Sequence, residues 1–176
     1  NLFSNSSDYD KDYKMVIGIN TISRFSKENP SQPMDYLMQT LRSLKLELER
    51  LDQSKRDCIM ILVMNFDEKR HEIYEKAKEE LDLDSLKRDG FHFTFENSSG
   101  RLRMKDPILD IPNHNYLKPG NIFPGPIARQ QNADVLTLIT TSLRRIQFEY
   151  FLFMEDDFEA CHNSLINILG YLQTLE

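Results

Sequence analysis

The chain is poor in what several classes of protein require. Only two of its 176 residues are cysteine, Cys58 and Cys161. No Cys-x-x-Cys pair and no Cys/His cluster accompanies them, which excludes structural zinc at the usual ligand spacing. Both adjoin apolar runs and read as buried free thiols. Basic residues are also short: 22 lysines and arginines face 28 acidic residues, for a net charge of −6. A nucleic-acid surface is ordinarily basic, so no nucleic-acid partner is expected. No apolar run approaches the ~18 residues of a membrane span. The fingerprints GxxxxGK[ST] and GxGxxG are missing, which removes the P-loop and the Rossmann dinucleotide signature. The four histidines, His71, His92, His114 and His162, fall at no ligand spacing and read as surface or loop residues. There is no internal repeat and no low-complexity tract.

What is there is ordinary for a globular protein: 40% hydrophobic and 28% charged residues. A domain of this size buries about 70% of its unfolded surface, enough for a core. The chain opens at Asn1 with neither a methionine nor a signal-peptide pattern and reads as a piece of a longer protein. Two sequons, Asn5-Ser6-Ser7 and Asn97-Ser98-Ser99, permit a secretory-pathway location.

Residues 1–12 are polar and read as a loose N-terminal segment. Tyr13 to Ile19 reads as a strand and Asn20 to Ser31 as a loop. Over Met34 to Leu51, Leu37, Leu41, Leu44, Leu48 and Leu51 recur at helical steps, with Arg42, Lys45, Glu47 and Glu49 away from that face. Pro33 suits the first turn of this helix. Cys58 to Met64 is continuously apolar, as in a strand buried on both faces of a parallel sheet. Phe66 to Leu86 reads as a charged surface helix with Ile73, Ala77 and Leu81 as its apolar stripe. Phe91 to Phe95 reads as a half-buried strand. The proline-rich segment 97–126 is expected to be a mobile functional loop, or one ordered by ligand. Ile127 to Ile146 returns to helical spacing through Val135, Leu138, Ile139 and Leu143. Tyr150 to Met154 is a buried strand, and His162 to Leu175 an amphipathic helix. Strand and helix alternate, so the expected fold is an α/β domain over 13–176 with a mainly parallel sheet.

The most informative feature is Glu155-Asp156-Asp157, directly after the last apolar run. A buried strand would deliver three carboxylates to the edge of the sheet where ligands sit in open α/β folds. Clustered carboxylates repel unless a cation neutralises them, and hard oxygens suit Mg²⁺ or Mn²⁺. The alternative is that they cap the following helix. After the first strand, Thr21 and Ser23 supply hydroxyls and Arg24 a cationic fork suited to phosphate; alone, this is equally a polar loop. Arg129 to Asp134 opens the helix before the acidic strand. Gln131, Asn132 and Asp134 stand there as contacts to a nucleotide sugar, or as ordinary first-turn polar residues.

Together these segments resemble the N-acetylglucosaminyltransferase IV family and its relatives acting on glycosylphosphatidylinositol (GPI) anchors. The resemblance rests on an Ile-Gly-Ile-x-Thr-x-x-Arg-like strand end (Ile17 to Arg24) and on a Tyr-Leu-x-x-Thr-Leu-x-Ser-Leu helix (Tyr36, Leu37, Thr40, Leu41, Ser43, Leu44). It continues with Asp57-Cys58-Ile59, Arg129 to Asp134 and Glu155 to Asp157. Asn20 stands where the family commonly has proline. The resemblance covers roughly residues 13–65 and 127–158 and implies an incomplete GT-A fold, truncated at its C-terminus. It implies a UDP-sugar donor of the GlcNAc or GalNAc class, a divalent metal (Mn²⁺ or Mg²⁺) and a glycan or GPI-type acceptor. It also implies a Golgi or other secretory lumen, with a membrane anchor upstream. By this resemblance Asp157 is the metal carboxylate, Glu155 or Asp156 touches ribose or sugar, and Thr21 and Arg24 face the uridine and diphosphate. No catalytic base is assigned, since in such folds it lies further along the chain. Two other classes remain open: an inactive nucleotide-sugar-binding or interaction module, and an unrelated metal-dependent hydrolase, which would want more metal ligands than this chain offers.

Overall fold

The structure, a computed structural model, describes residues 11–29, 31–67, 71–98 and 126–175. In chain order the elements are β1 (Asp12–Thr21), α1 (Tyr36–Glu49), α2 (Gln53–Arg56), β2 (Ile59–Asn65), α3 (Glu72–Leu81), α4 (Asp84–Arg88), β3 (His92–Asn97), α5 (Pro126–Arg145), β4 (Gln147–Glu155) and α6 (Ser164–Gln173). The four strands form one sheet in the order β3-β2-β1-β4, and every pairing is parallel. The α/β reading with a parallel sheet therefore holds. Asn5, His114 and all but the two ends of the proline-rich segment lie outside the described residues.

Side chains alternate across each strand, so the sheet has two cores. Met15, Ile17 and Ile19 of β1, with Ile59, Ile61 and Val63 of β2, pack with Phe93 against α1, α3 and α6. Val16, Met60, Leu62 and Met64 face the other way, where Leu138 of α5 meets them. The leucine stripe of α1 is buried along its whole length, as the periodicity predicts. Helices thus flank both faces, and all of β2 is buried.

Several expectations are corrected. Pro33 does not start α1; it forms an antiparallel bridge with Phe25, and the helix begins after Asp35. Glu47 is buried, not outward. It pairs with Arg50, and its Oε2 accepts from Ser164 Oγ at 3.3 Å and from the Leu165 N–H at 3.4 Å. A carboxylate at the start of α6 satisfies donors that a helix N-terminus leaves open. The single charged helix after β2 is two, α3 and α4. Its end is a left-handed Gly90 (φ 82°), with the Gly90 and Phe91 N–H groups bonded back to Lys87 and Leu86 carbonyls. His71 and His92 are buried, whereas both cysteines are exposed and free. Leu143 is 65% exposed, and β4 is half-buried because it is the outer strand of the described sheet.

Gly18 lies in the middle of β1, where a Cβ would come 2.4 Å from Phe151 Cζ and 3.1 Å from Leu138 Cδ2. Any larger residue forces the Phe151 ring, and with it the packing of β4 and α5 on the central strand, to adjust. Gly18→Ala is expected to destabilise the domain by about 1–3 kcal/mol, measured by urea unfolding; an unchanged midpoint would show that the Phe151 ring yields freely.

Candidate functional site

Parallel pairing brings the carboxyl ends of the strands to one edge. Thr21 is level with Asn65, Asn65 with Asn97, and Asn20 with Glu155. The order β3-β2-β1-β4 also sets where a ligand can enter. From β1 the chain proceeds outward to β2 and β3, then returns to place β4 on the other side of β1. The loops leaving β1 and β4 therefore diverge, and the crevice between them is the switch point where ligands bind in open α/β sheets.

A cavity of about 180 Å³ occupies that crevice. Thr21 and Arg24 line it from β1 and its loop, Gln131 and Asp134 from α5, and Glu155 and Asp156 from the end of β4 and the turn after it. Three segments distant in sequence thus meet around one space. The side chain of Arg129 lies outside the described residues. Asp134 is buried and accepts from Gln130 Nε2 at 2.8 Å, while Gln131 is exposed.

At the heart of the site is Arg24. Its Nη2 donates to Asp156 Oδ1 and its Nη1 to Asp157 Oδ2, both at 2.7 Å. One guanidinium thus holds two consecutive carboxylates, and the chain itself supplies part of the positive charge that the acidic triplet calls for. Burial acts to lower the Arg24 pKa, but its hydrogen bond to Asp157 and the charges of Asp156, Asp157 and Glu155 outweigh this and raise it. Asp156 is 3% exposed. Burial pushes its carboxyl above the ordinary range, opposed by the Thr21 hydroxyl at 2.7 Å, by Arg24 and by the Ile22 N–H. Asp157 is partly open, and Arg24 engages only one of its oxygens; Glu155 is exposed.

Backbone anchors hold this arrangement on both sides. The Ser23 N–H donates to Asp67 Oδ2 at 2.7 Å, and the Arg24 carbonyl accepts from the Met34 N–H at 2.8 Å. On the acidic side, the buried Thr40 hydroxyl lies 2.9 Å from the Asp156 carbonyl and 2.6 Å from that of Phe158. Ser43 Oγ accepts from the Ala160 N–H at 2.8 Å. Asp67, His71, Thr40 and Ser43 were not singled out as site residues in the sequence. Thr40 carried a signal, since a hydroxyl within the leucine stripe of α1 must find a partner once buried; His71 and Asp67 carried none.

Among the described residues no group of three or more His, Cys, Asp or Glu side chains is arranged to hold a metal ion. Mg²⁺ and Mn²⁺ need fewer when phosphates complete the shell. Glu155 lines the cavity, whereas Asp157, the metal carboxylate expected from the sequence, does not. Its second oxygen is outside the Arg24 pair, and the two carboxylates supply hard donors of the type such a smaller set needs. No family model, curated protein or solved structure matches the chain. No described helix is long and apolar enough to cross a membrane.

His71 caps α3, accepting the Tyr74 N–H at Nδ1. Burial lowers its pKa against the charges of Asp67 and Glu75, which raise it. As pH falls through the unfolded value of ~6.5, the unfolded chain takes up a proton that the folded chain refuses. The stability contributed by neutral His71 is therefore complete above ~6.5 and lost progressively below it. Asp156, with its pKa raised, works in the opposite sense: its protonated form is favoured as pH falls. The difference between the wild type and His71→Asn, which keeps a capping acceptor, reports the histidine's titration together with any change at Asp156 through Thr21. The wild type is expected to lose more Tm than His71→Asn between pH 7.5 and 5.5; parallel curves would contradict this.

Proposed function

We propose that the chain is the donor-binding part of a UDP-sugar-dependent hexosaminyltransferase of GT-A type. It would transfer a GlcNAc- or GalNAc-class sugar to a glycan or glycolipid acceptor in the Golgi or another secretory lumen. The observation that carries the reading is the meeting of Thr21, Arg24, Gln131, Asp134, Glu155 and Asp156 around one cavity at the switch point of a parallel sheet. The resemblance placed those residues in one donor site from separate sequence blocks, and their convergence on one cavity supports that reading.

In this reading each part of the site has a separate task. Asp156, held by Thr21 and Arg24, is the fixed floor. Exposed Gln131 and Glu155 offer polar groups to ribose and sugar hydroxyls. Arg24 presents a cation beside the diphosphate, while Glu155 and the open oxygen of Asp157 would hold a divalent metal. That metal, when bound, would neutralise charge developing on the departing diphosphate. Without it, the carboxylates repel the same diphosphate, so nucleotide and metal should bind cooperatively.

A second reading is favoured by one observation. Arg24 already pairs with both Asp156 and Asp157 and offsets part of their charge, which lessens the need for a metal, as in a nucleotide-sugar-binding or interaction module that performs no transfer. Calorimetry with UDP, with and without Mn²⁺, separates the two. The transferase reading expects UDP affinity to rise at least tenfold with Mn²⁺, a coupling of about 1.4 kcal/mol. It also expects Asp157→Ala to abolish that gain while the domain stays folded. UDP binding indifferent to Mn²⁺ would favour the nucleotide-sugar-binding module, and no binding under either condition would overturn the transferase reading and leave an interaction module.

A further inference from the structure

His71 has no task in the donor reading, yet it is 4% exposed and lies against the site. Its ring nitrogens face two different elements. Nδ1 takes the Tyr74 N–H at 3.3 Å, and Nε2 lies 3.0 Å from Thr21 Oγ1. A neutral imidazole carries one proton. Since Nδ1 accepts, that proton is on Nε2 and is donated to Thr21. The threonine hydroxyl also has one proton, and Asp156 Oδ2 is 2.7 Å away as its acceptor. Asp156 Oδ1 in turn takes Arg24 Nη2. Every donor and acceptor from the first turn of α3 to the guanidinium therefore has a determined direction.

We propose that His71 is a positioning residue for the acidic end of the cavity. By occupying the acceptor side of the Thr21 hydroxyl, it commits the hydroxyl proton to Asp156. That sets the plane of the carboxylate on which Arg24 closes, and with it the reach of Arg24 to Asp157. The ligand served is that of the donor reading, on which this inference rests; the hydrogen bonds rest on geometry alone. Loss of Nε2–H frees the Thr21 hydroxyl to rotate, so its bond to Asp156 persists but no longer fixes the plane of the carboxylate.

Capping and positioning use different nitrogens, so they can be separated by substitution. The amide of His71→Asn reaches the place of Nδ1 and keeps the cap; that of His71→Gln reaches the place of Nε2 and keeps the link to Thr21. Each variant is examined by melting, by calorimetry with UDP and Mn²⁺, and by backbone amide shifts. His71→Asn is expected to melt close to the wild type, to weaken UDP–Mn²⁺ binding about tenfold or more, and to shift the amides of Ile22 and of residues 156–158. His71→Gln is expected to melt lower and bind like the wild type. The reverse pattern, or unmoved 156–158 amides in His71→Asn, overturns the proposal and leaves His71 a cap. So does a wild-type ¹⁵N spectrum at neutral pH with the proton on Nδ1. If the wild type binds no UDP even with Mn²⁺, the donor reading falls instead, and the amide shifts and the tautomer still decide the role of His71.

Discussion

Everything at the carboxyl edge of the sheet depends on keeping two adjacent carboxylates beside each other without mutual repulsion. Asp156 is buried and Asp157 half-open, and both are held by the guanidinium of Arg24 at 2.7 Å. A planar fork suits this task, since its two nitrogens engage two acceptors at once without losing the charge. Removing the fork would leave a buried carboxylate with only hydroxyl and amide donors, a costly state. The loop from Ile22 to Asp35 accordingly invests its backbone in Arg24: the Phe25–Pro33 bridge, the Met34 N–H and the carboxylate of Asp67 all restrain it.

The acidic turn is held as firmly from the other side. Thr40 and Ser43 stand one helical turn apart on α1 and reach the backbone of residues 156–160. The leucines around them are buried against the sheet. A helix that appears to serve only the core therefore also fixes where the carboxylates point. Glu47, further along α1, receives the start of α6, so one helix links the central strand, the acidic turn and the last helix.

The fold was largely legible in the sequence, the site only partly. The leucine spacing of α1 and the apolar run of β2 reflect interactions repeated every turn or every second residue, and such patterns survive in one dimension. Glu155 to Asp157 was conspicuous because charge follows apolar residues abruptly. Glu47 misled because helical spacing assigns a face but cannot foresee a second helix arriving there. The exposed cysteines misled because neither lies within a buried element: Cys58 sits in the turn before β2 and Cys161 in the loop before α6. His71 and His92 misled because neither sits in an apolar pattern, and their burial comes from partners elsewhere in the chain.

Sequence alone determined the alternation of strands with helices, the mainly parallel character of the sheet and the position of the acidic triplet at a strand end. Each of these is written in local periodicity or in abrupt local changes of polarity. Only the tertiary structure decided that β4 lies beside β1, that the crevice opens between them, and that the cation meeting Asp156 is Arg24, 132 residues away. The reason is physical: a strand of apolar residues pairs acceptably with many neighbours, and a carboxylate is satisfied by any nearby cation. The choice among partners is made by the packing of the whole domain, where Gly18 lets Phe151 lie across β1 and His71 turns Thr21 toward the acid.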